Sequence, residues 1–209
     1  MGQDLVAHNG ATEAVTEFCS DMSPAFIKGV KESFPTAHLI FDKFHIMKIV
    51  NEAVDEVRRQ EQKERPELIK TRYIWLKNQK NLKSAQLKTL EELQVKKLNL
   101  KTCRAYHIRL NFQDFFTQPS ETAEAYLKKW YFWATHSRLQ PIKEAAYTIK
   151  RHWDGVLRWF HARINNGMLE GFNSLVQAAK ARARGYRTTR NLIAMIYLIG
   201  GKLNFGLPT

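Results

Sequence analysis

The chain has 209 residues, a mass of 24.4 kDa and a formal net charge of +13, with 44% hydrophobic and 25% charged residues. That composition supports one packed domain and argues against wholesale disorder. No apolar run reaches the roughly 18–20 residues of a membrane span, the first ten residues show no secretory pattern, and two distant cysteines, Cys19 and Cys103, exclude a disulfide scaffold or a four-cysteine zinc site.

Two short strands are expected near the N-terminus, over Ala14–Cys19 and Ala37–Phe41. Between them Ser23-Pro24 is a helix start, with Ser as N-cap and Pro at the first helical position. Phe26, Ile27 and Val30 form the apolar face of that helix, and Phe34-Pro35 ends it. Strand, helix and strand in so few residues form a βαβ unit with parallel neighbours. Asp21 and Asp42 then close adjacent parallel strands, where open α/β sheets place their sites.

Beyond Asp42 the pattern is helical. Phe44 to about Glu64 begins with an apolar stripe (Ile46, Ile49, Val50, Ala53, Val54, Val57) and becomes highly charged before Pro66. Gln86–Leu93 and Lys101–Phe116 are further helices. Ser120 is expected to cap the next, with Tyr126, Trp130 and Trp133 along one face. From Pro141 a single long helix is expected, its apolar residues Ile142, Ala145, Ile149, Trp153, Val156 and Phe160 holding a 3.6-residue period. Arg163 to Gly167 reads as a turn. A helix from Met168 should bury Leu169, Phe172, Leu175, Val176 and Ala179, and Asn191–Leu203 closes the chain. The fold class is mainly α with a small α/β part.

The charge is local. Residues 1–100 carry 16 Lys and Arg against 14 Asp and Glu, whereas residues 101–209 carry 17 against 6. Arg158, Arg163, Lys180, Arg182, Arg184, Arg187 and Arg190 are opposed within their stretch only by Glu170. Such clustering is the footprint of a polyanionic partner, although a solvated helix face would look similar. Three acids stand out by context: Asp21 and Asp42 at strand ends, and Glu170 in the basic segment. Carboxylates from a strand end and a distant helix can hold the paired divalent ions of a phosphoryl-transfer site. Equally, Asp21 could simply start a turn and Glu170 could be a surface ion pair.

Three segments carry a resemblance. Asp21-Met-Ser-Pro-Ala-Phe-Ile-Lys, Ala37-His-Leu-Ile-Phe-Asp42-Lys-Phe-His45 and Asn166-Gly-Met-Leu-Glu170-Gly-Phe-Asn173, followed by Lys180-Ala-Arg182-Ala-Arg184-Gly185-Tyr186, closely resemble bacterial insertion-sequence transposases of the DDE-type ISL3 family. The likeness runs from about His8 to the C-terminus. It implies a ribonuclease-H-like core: a partial core over residues 1–60, a mostly helical insertion over 61–160, and core helices over 161–209. Asp21 would be the second acid of the triad and Glu170 the third, both ligands of Mg²⁺ or Mn²⁺. Asp42 and His45 would form a supporting motif beside the site, and Asn166, Gly167 and Asn173 would shape the helix that presents Glu170. Arg163, Lys180, Arg182, Arg184, Arg187 and Arg190 would bind the DNA backbone.

In the family the first acid lies on a strand well upstream of the second, and only 20 residues precede Asp21. The resemblance therefore implies that the first three core strands, and the zinc-binding and helix-turn-helix regions before them, are missing. The chain would be a transposase fragment, catalytically incomplete by itself. The alternative is a non-catalytic nucleic-acid-binding module or dominant-negative regulator. Expected partners are DNA at transposon ends, and a full-length transposase or a second copy of the chain. No membrane is expected, and the implied location is the bacterial cytoplasm at the nucleoid.

Overall fold

Hydrogen bonds join β1 (Glu17–Ser20) and β2 (His38–Phe41) as parallel neighbours, in register from Glu17 opposite His38 to Ser20 opposite Phe41. Helix α2 (Pro24–Ser33) makes the crossover a parallel pair requires. Both strands start later than expected, at Glu17 and His38. Thr12–Ala14 instead forms a single 3₁₀ turn, after a short helix α1 (Gly2–Ala7). The computed structural model describes residues 2–95, 100–162 and 167–201 of the chain. It divides into two compact units, Met1–Ile164 and Asn165–Thr209.

The first unit is otherwise helical. Helix α3 (Lys43–Glu61) is its axis, because its stripe of Ile46, Val50, Ala53, Val54 and Val57 is buried. Helices α4 (Arg72–Leu76) and α5 (Ser84–Val95) follow, then α6 (Lys101–Phe115), α7 (Ser120–Thr135), α8 (Gln140–Arg151) and α9 (Trp153–Ala162). Helix α3 packs mainly on α6 and α8, and α9 lies on β2. The aromatic residues form much of this core: Phe112 lies 4.3 Å from the Trp130 ring and 5.7 Å from Phe115. Each deeply buried indole donates to a named acceptor, Trp130 to the Ile108 carbonyl and Trp75 to Thr71 Oγ1, as a buried N–H requires.

Several expectations need correction. The long helix from Pro141 is two helices, broken at His152, whose ψ of 24° leaves the helical range. The apolar spacing continues across the break, which is why periodicity alone hides it. Ser120 is not a cap; Pro119 holds that position and the Ser120 hydroxyl bonds Glu121 instead. Trp133 does not share the buried face of Trp130. The inward stripe of α7 is Ala123, Leu127, Trp130 and Ala134, and position 133 lies about 90° from its centre.

Gly155 lets α9 approach the sheet. A Cβ there would lie 2.5 Å from ring carbons of buried Phe41 and 3.2 Å from the Leu39 carbonyl. Alanine would regain up to about 1 kcal/mol of helix propensity but overpack the contact by about 1–3 kcal/mol. Gly155→Ala should therefore lower the urea unfolding free energy by about 1 kcal/mol. An unchanged midpoint would mean that α9 does not press on β2 as described.

The second unit contains helices α10 (Gly167–Arg182) and α11 (Thr189–Gly200). The Phe172 ring of α10 fills the space above Gly200, where a Cβ would come within 2.7 Å of it. Gly200 is thus a packing site and not only a weak helix end. Leu175, expected to be buried, is 59% exposed. Two helices alone enclose little volume, and in α10 only Phe172, Val176 and Ala179 reach partial burial among the residues whose burial is described. Leu203, and the side chains of Met168 and Leu169, lie outside the described residues.

Candidate functional site

The C-terminal edge of the two-stranded sheet brings Asp21 and Asp42 together. They are the next residues after the paired Ser20 and Phe41, and the Asp42 amide donates to the Ser20 carbonyl at 3.1 Å. Each acid accepts from the backbone amide two residues on. Asp21 Oδ1 accepts from the Ser23 amide at 2.8 Å, and Asp42 Oδ1 accepts from the Phe44 amide at 2.7 Å. Asp42 is thereby the N-cap of α3, whereas Asp21 forms an Asx turn that leads into α2. Ser23 holds the N-cap position of α2, but its own side chain makes no capping bond.

The two carboxylates differ in environment. Asp42 is completely buried, and His45 lies one turn along α3 with Nδ1 3.6 Å from Asp42 Oδ1, outside hydrogen-bonding distance. Asp21 is half-buried, and only its Oδ1 is engaged by a hydrogen bond among the described residues. The charge at this edge reaches Cys19. Burial first, and the Asp42 carboxylate second, push its thiol up to about 11. Cys103 is also raised, by burial and by Glu61. At pH 8 the thiolate fraction of Cys19 is then roughly a hundredfold below that of a free cysteine. Native iodoacetamide labelling of Cys19 should be slower by about that factor than labelling in urea. Equal rates would show that the sheet edge is open.

Lys43, the first residue of α3 after the Asp42 N-cap, carries no signal of a role in the sequence. Its ammonium lies 4.9 Å from the Phe116 ring centroid and 5.5 Å from that of Trp159, and burial lowers its pKa. No sequence signal pairs it with rings so far along the chain.

Within the second unit, Glu170 lies in the first turns of α10, which opens at Gly167. Its side chain is outside the described set, as are Arg163 and Asn166. Asn173 is exposed on α10. Lys180 and Arg182 stand on the last turn of α10, Arg184 and Arg187 in the connection, and Arg190 on α11; all five are exposed. None forms an ion pair among the described residues. The connection is a tight helix stop: the Gly185 amide donates to the Lys180 carbonyl at 2.9 Å and the Arg184 amide to that of Ala181 at 3.1 Å. This is a Schellman arrangement with Arg184, at φ 52°, in the left-handed position that glycine usually takes. Gly185 follows at φ 97°. The basic run is thereby held out from the helix end.

A hard divalent cation suits carboxylate oxygens, and Asp21 has an oxygen to offer. The fit stops there. Among the described residues no group of three His, Cys, Asp or Glu side chains is placed to hold a metal ion.

A family model for DDE-type ISL3 transposases matches residues 3–196. The chain belongs to the ISL3 transposase family. This family member is 27% identical over 186 residues to the transposase of insertion sequence element IS1001 from Bordetella parapertussis, an alignment covering 85% of the chain and 46% of that relative. It is 23% identical to the transposase of IS1557 from Mycobacterium tuberculosis, covering 88% of the chain and 47% of the relative. The ISL3 chain thus spans about half the length of the curated relatives it matches. No solved structure matches it.

Proposed function

We propose that this chain takes part in DNA transposition, as a portion of a DDE-type transposase that cuts and rejoins DNA phosphodiesters. The family match over residues 3–196 carries the reading, because it includes the sheet-edge acid, the helix bearing Glu170 and the basic run together. In this reading Asp21 and Glu170 are ligands of Mg²⁺ or Mn²⁺. The paired ions would supply an activated nucleophile and stabilise the leaving oxygen. Asp42 caps the start of α3, with His45 one turn along it, as a supporting motif beside the site. The parallel pair with its crossover helix supports a partial ribonuclease-H-like core over residues 1–60, with residues 61–160 as insertion and 161–209 as core helices. The DNA at transposon ends is the substrate, and a longer transposase or a second copy is the assembly partner. The implied location is the bacterial cytoplasm at the nucleoid; no helix among the described residues is long and apolar enough to cross a membrane.

In this reading the site takes three acids, and among the described residues the sheet has two strands, which carry Asp21 and Asp42 at their ends. The 209 residues by themselves should therefore bind duplex DNA without rejoining it. A Mg²⁺-dependent strand-transfer assay on matching ends tests this. Robust turnover, abolished by Glu170→Ala, would overturn the expectation of an incomplete site.

A further inference from the structure

A groove between α6 and the end of α7 has a chemistry that the proposed cleavage site leaves unused. It has a volume of about 680 Å³, within the range of small-ligand sites. One wall is a stripe along α6 that includes Arg104, His107 and Asp114. The other is Trp133, His136 and Arg138, from the last turn of α7 and the bend before α8. Trp133 is 43% exposed and, unlike Trp75, Trp130, Trp153 and Trp159, makes no ring contact among the described residues. Arg104 and Arg138 are exposed and form no ion pair among those residues. Unpaired guanidinium groups beside an open indole face offer what a nucleotide strand presents: phosphate anions next to a flat base.

The bend adds an independent observation. Arg138 has φ 60°, the left-handed conformation that glycine adopts freely. The bend is otherwise well bonded, Ser137 Oγ donating to the Ala134 carbonyl at 2.7 Å and accepting from the Leu139 amide at 3.3 Å. A side chain in that conformation is strained, so the bend would be more stable with glycine in place of Arg138. Asp114 closes the opposite end of the α6 stripe from Arg104, about 15 Å away along the helix. It thereby repels phosphate at that end and gives the groove a polarity.

We infer that this groove binds single-stranded DNA, with one base stacked on Trp133 and the adjoining phosphates on Arg104 and Arg138. The inference rests on the DNA reading above and specifies a second contact for the same substrate, separate from the basic run of residues 180–190. A labelled thymidine dodecamer and a duplex of equal length, titrated against the full chain by fluorescence anisotropy, test it. Trp133→Ala and Arg104→Ala should each weaken strand binding about tenfold, with duplex affinity unchanged and Trp133→Phe within about threefold of the parent. Arg138→Gly should raise the melting temperature while weakening strand binding. Circular dichroism on each variant establishes that it is folded, and Arg104→Ala, at an exposed position, keeps the test open should Trp133→Ala unfold. Parental strand affinity in Arg104→Ala and in a folded Trp133→Ala would overturn the groove. Thymidine monophosphate competing as well as the dodecamer would overturn the strand in favour of a free nucleotide. Duplex binding with strand binding insensitive to these substitutions removes the groove alone. Binding of neither DNA removes the transposition reading with it.

Discussion

Glu61→Ala should lower the unfolding free energy by about 4 kcal/mol. Glu61 ends α3 and is nearly buried. Its Oε1 accepts from the Lys101 amide at 2.8 Å, and its Oε2 accepts from the Thr102 amide and Thr102 Oγ1, both at 2.7 Å. Helix α6 has no side-chain cap of its own, since Leu100 holds the N-cap position. Glu61 supplies that cap from 40 residues away, and its charge faces the positive end of the α6 dipole. Hydrogen bonds to a charged acceptor contribute about 1.5–3 kcal/mol, and donors left buried without a partner add to the loss. Thr102 is completely buried, so water cannot replace the carboxylate there. Glu61→Gln should lose about half as much, because an amide oxygen still accepts but carries no charge. Urea titration followed by circular dichroism measures both. A loss below about 1 kcal/mol in Glu61→Ala would show that α6 does not depend on this bridge.

Replacing Lys180, Arg182, Arg184 and Arg187 together by alanine should weaken duplex DNA binding by about a thousandfold near 0.1 M salt. Each cation on a phosphate releases roughly 0.9 counterion, so four lost contacts flatten the slope of log affinity against log salt by roughly 3–4. Their exposure and lack of ion-pair partners among the described residues mean that no acid must first be displaced. Since none is buried, the fold of the first unit should be untouched and the melting curve unchanged. Anisotropy titrations across a salt series provide the slope. A slope equal to the parent's would remove this segment from the DNA contact and leave its charge a matter of solubility.

The parts legible from local chemistry were those whose signals lie within a few residues. Ser23-Pro24, the Phe34-Pro35 stop and the two strand-ending aspartates mark the β1–α2–β2 unit to within three residues at each boundary. The stripe of α3 is equally plain, because a 3.6-residue period needs no partner to be seen. Its charged second half misleads: Asp55 and Arg58 are buried, tied by bonds of 2.8 and 2.9 Å, with Arg72 adding a contact of 3.3 Å from α4. Arg109 is another such case. It reads as a surface cation on α6, yet it is buried, donating to Asn51 Oδ1 and to the Leu76 carbonyl, each at 2.8 Å, and burial lowers its pKa. Its partners are 58 and 33 positions away, and no window on the sequence joins them.

The candidate site divides along the same line. Order and residue type alone decide that two acids follow strand-like segments and that a third acid sits in a basic segment. These follow from spacing and charge, which are properties of the chain before it folds; the transposase family follows instead from the likeness of the segments around Asp21, Asp42 and Glu170 to known members. Burial and partnership are properties of the packed chain. Only tertiary structure decides that Asp42 is enclosed while Asp21 keeps an oxygen to offer, that α8 and α9 part at His152 so that Gly155 can meet Phe41, and that Trp133 turns outward beside two unpaired arginines. Helical periodicity places an indole on a face, but only the neighbouring helix determines whether that face is core or groove.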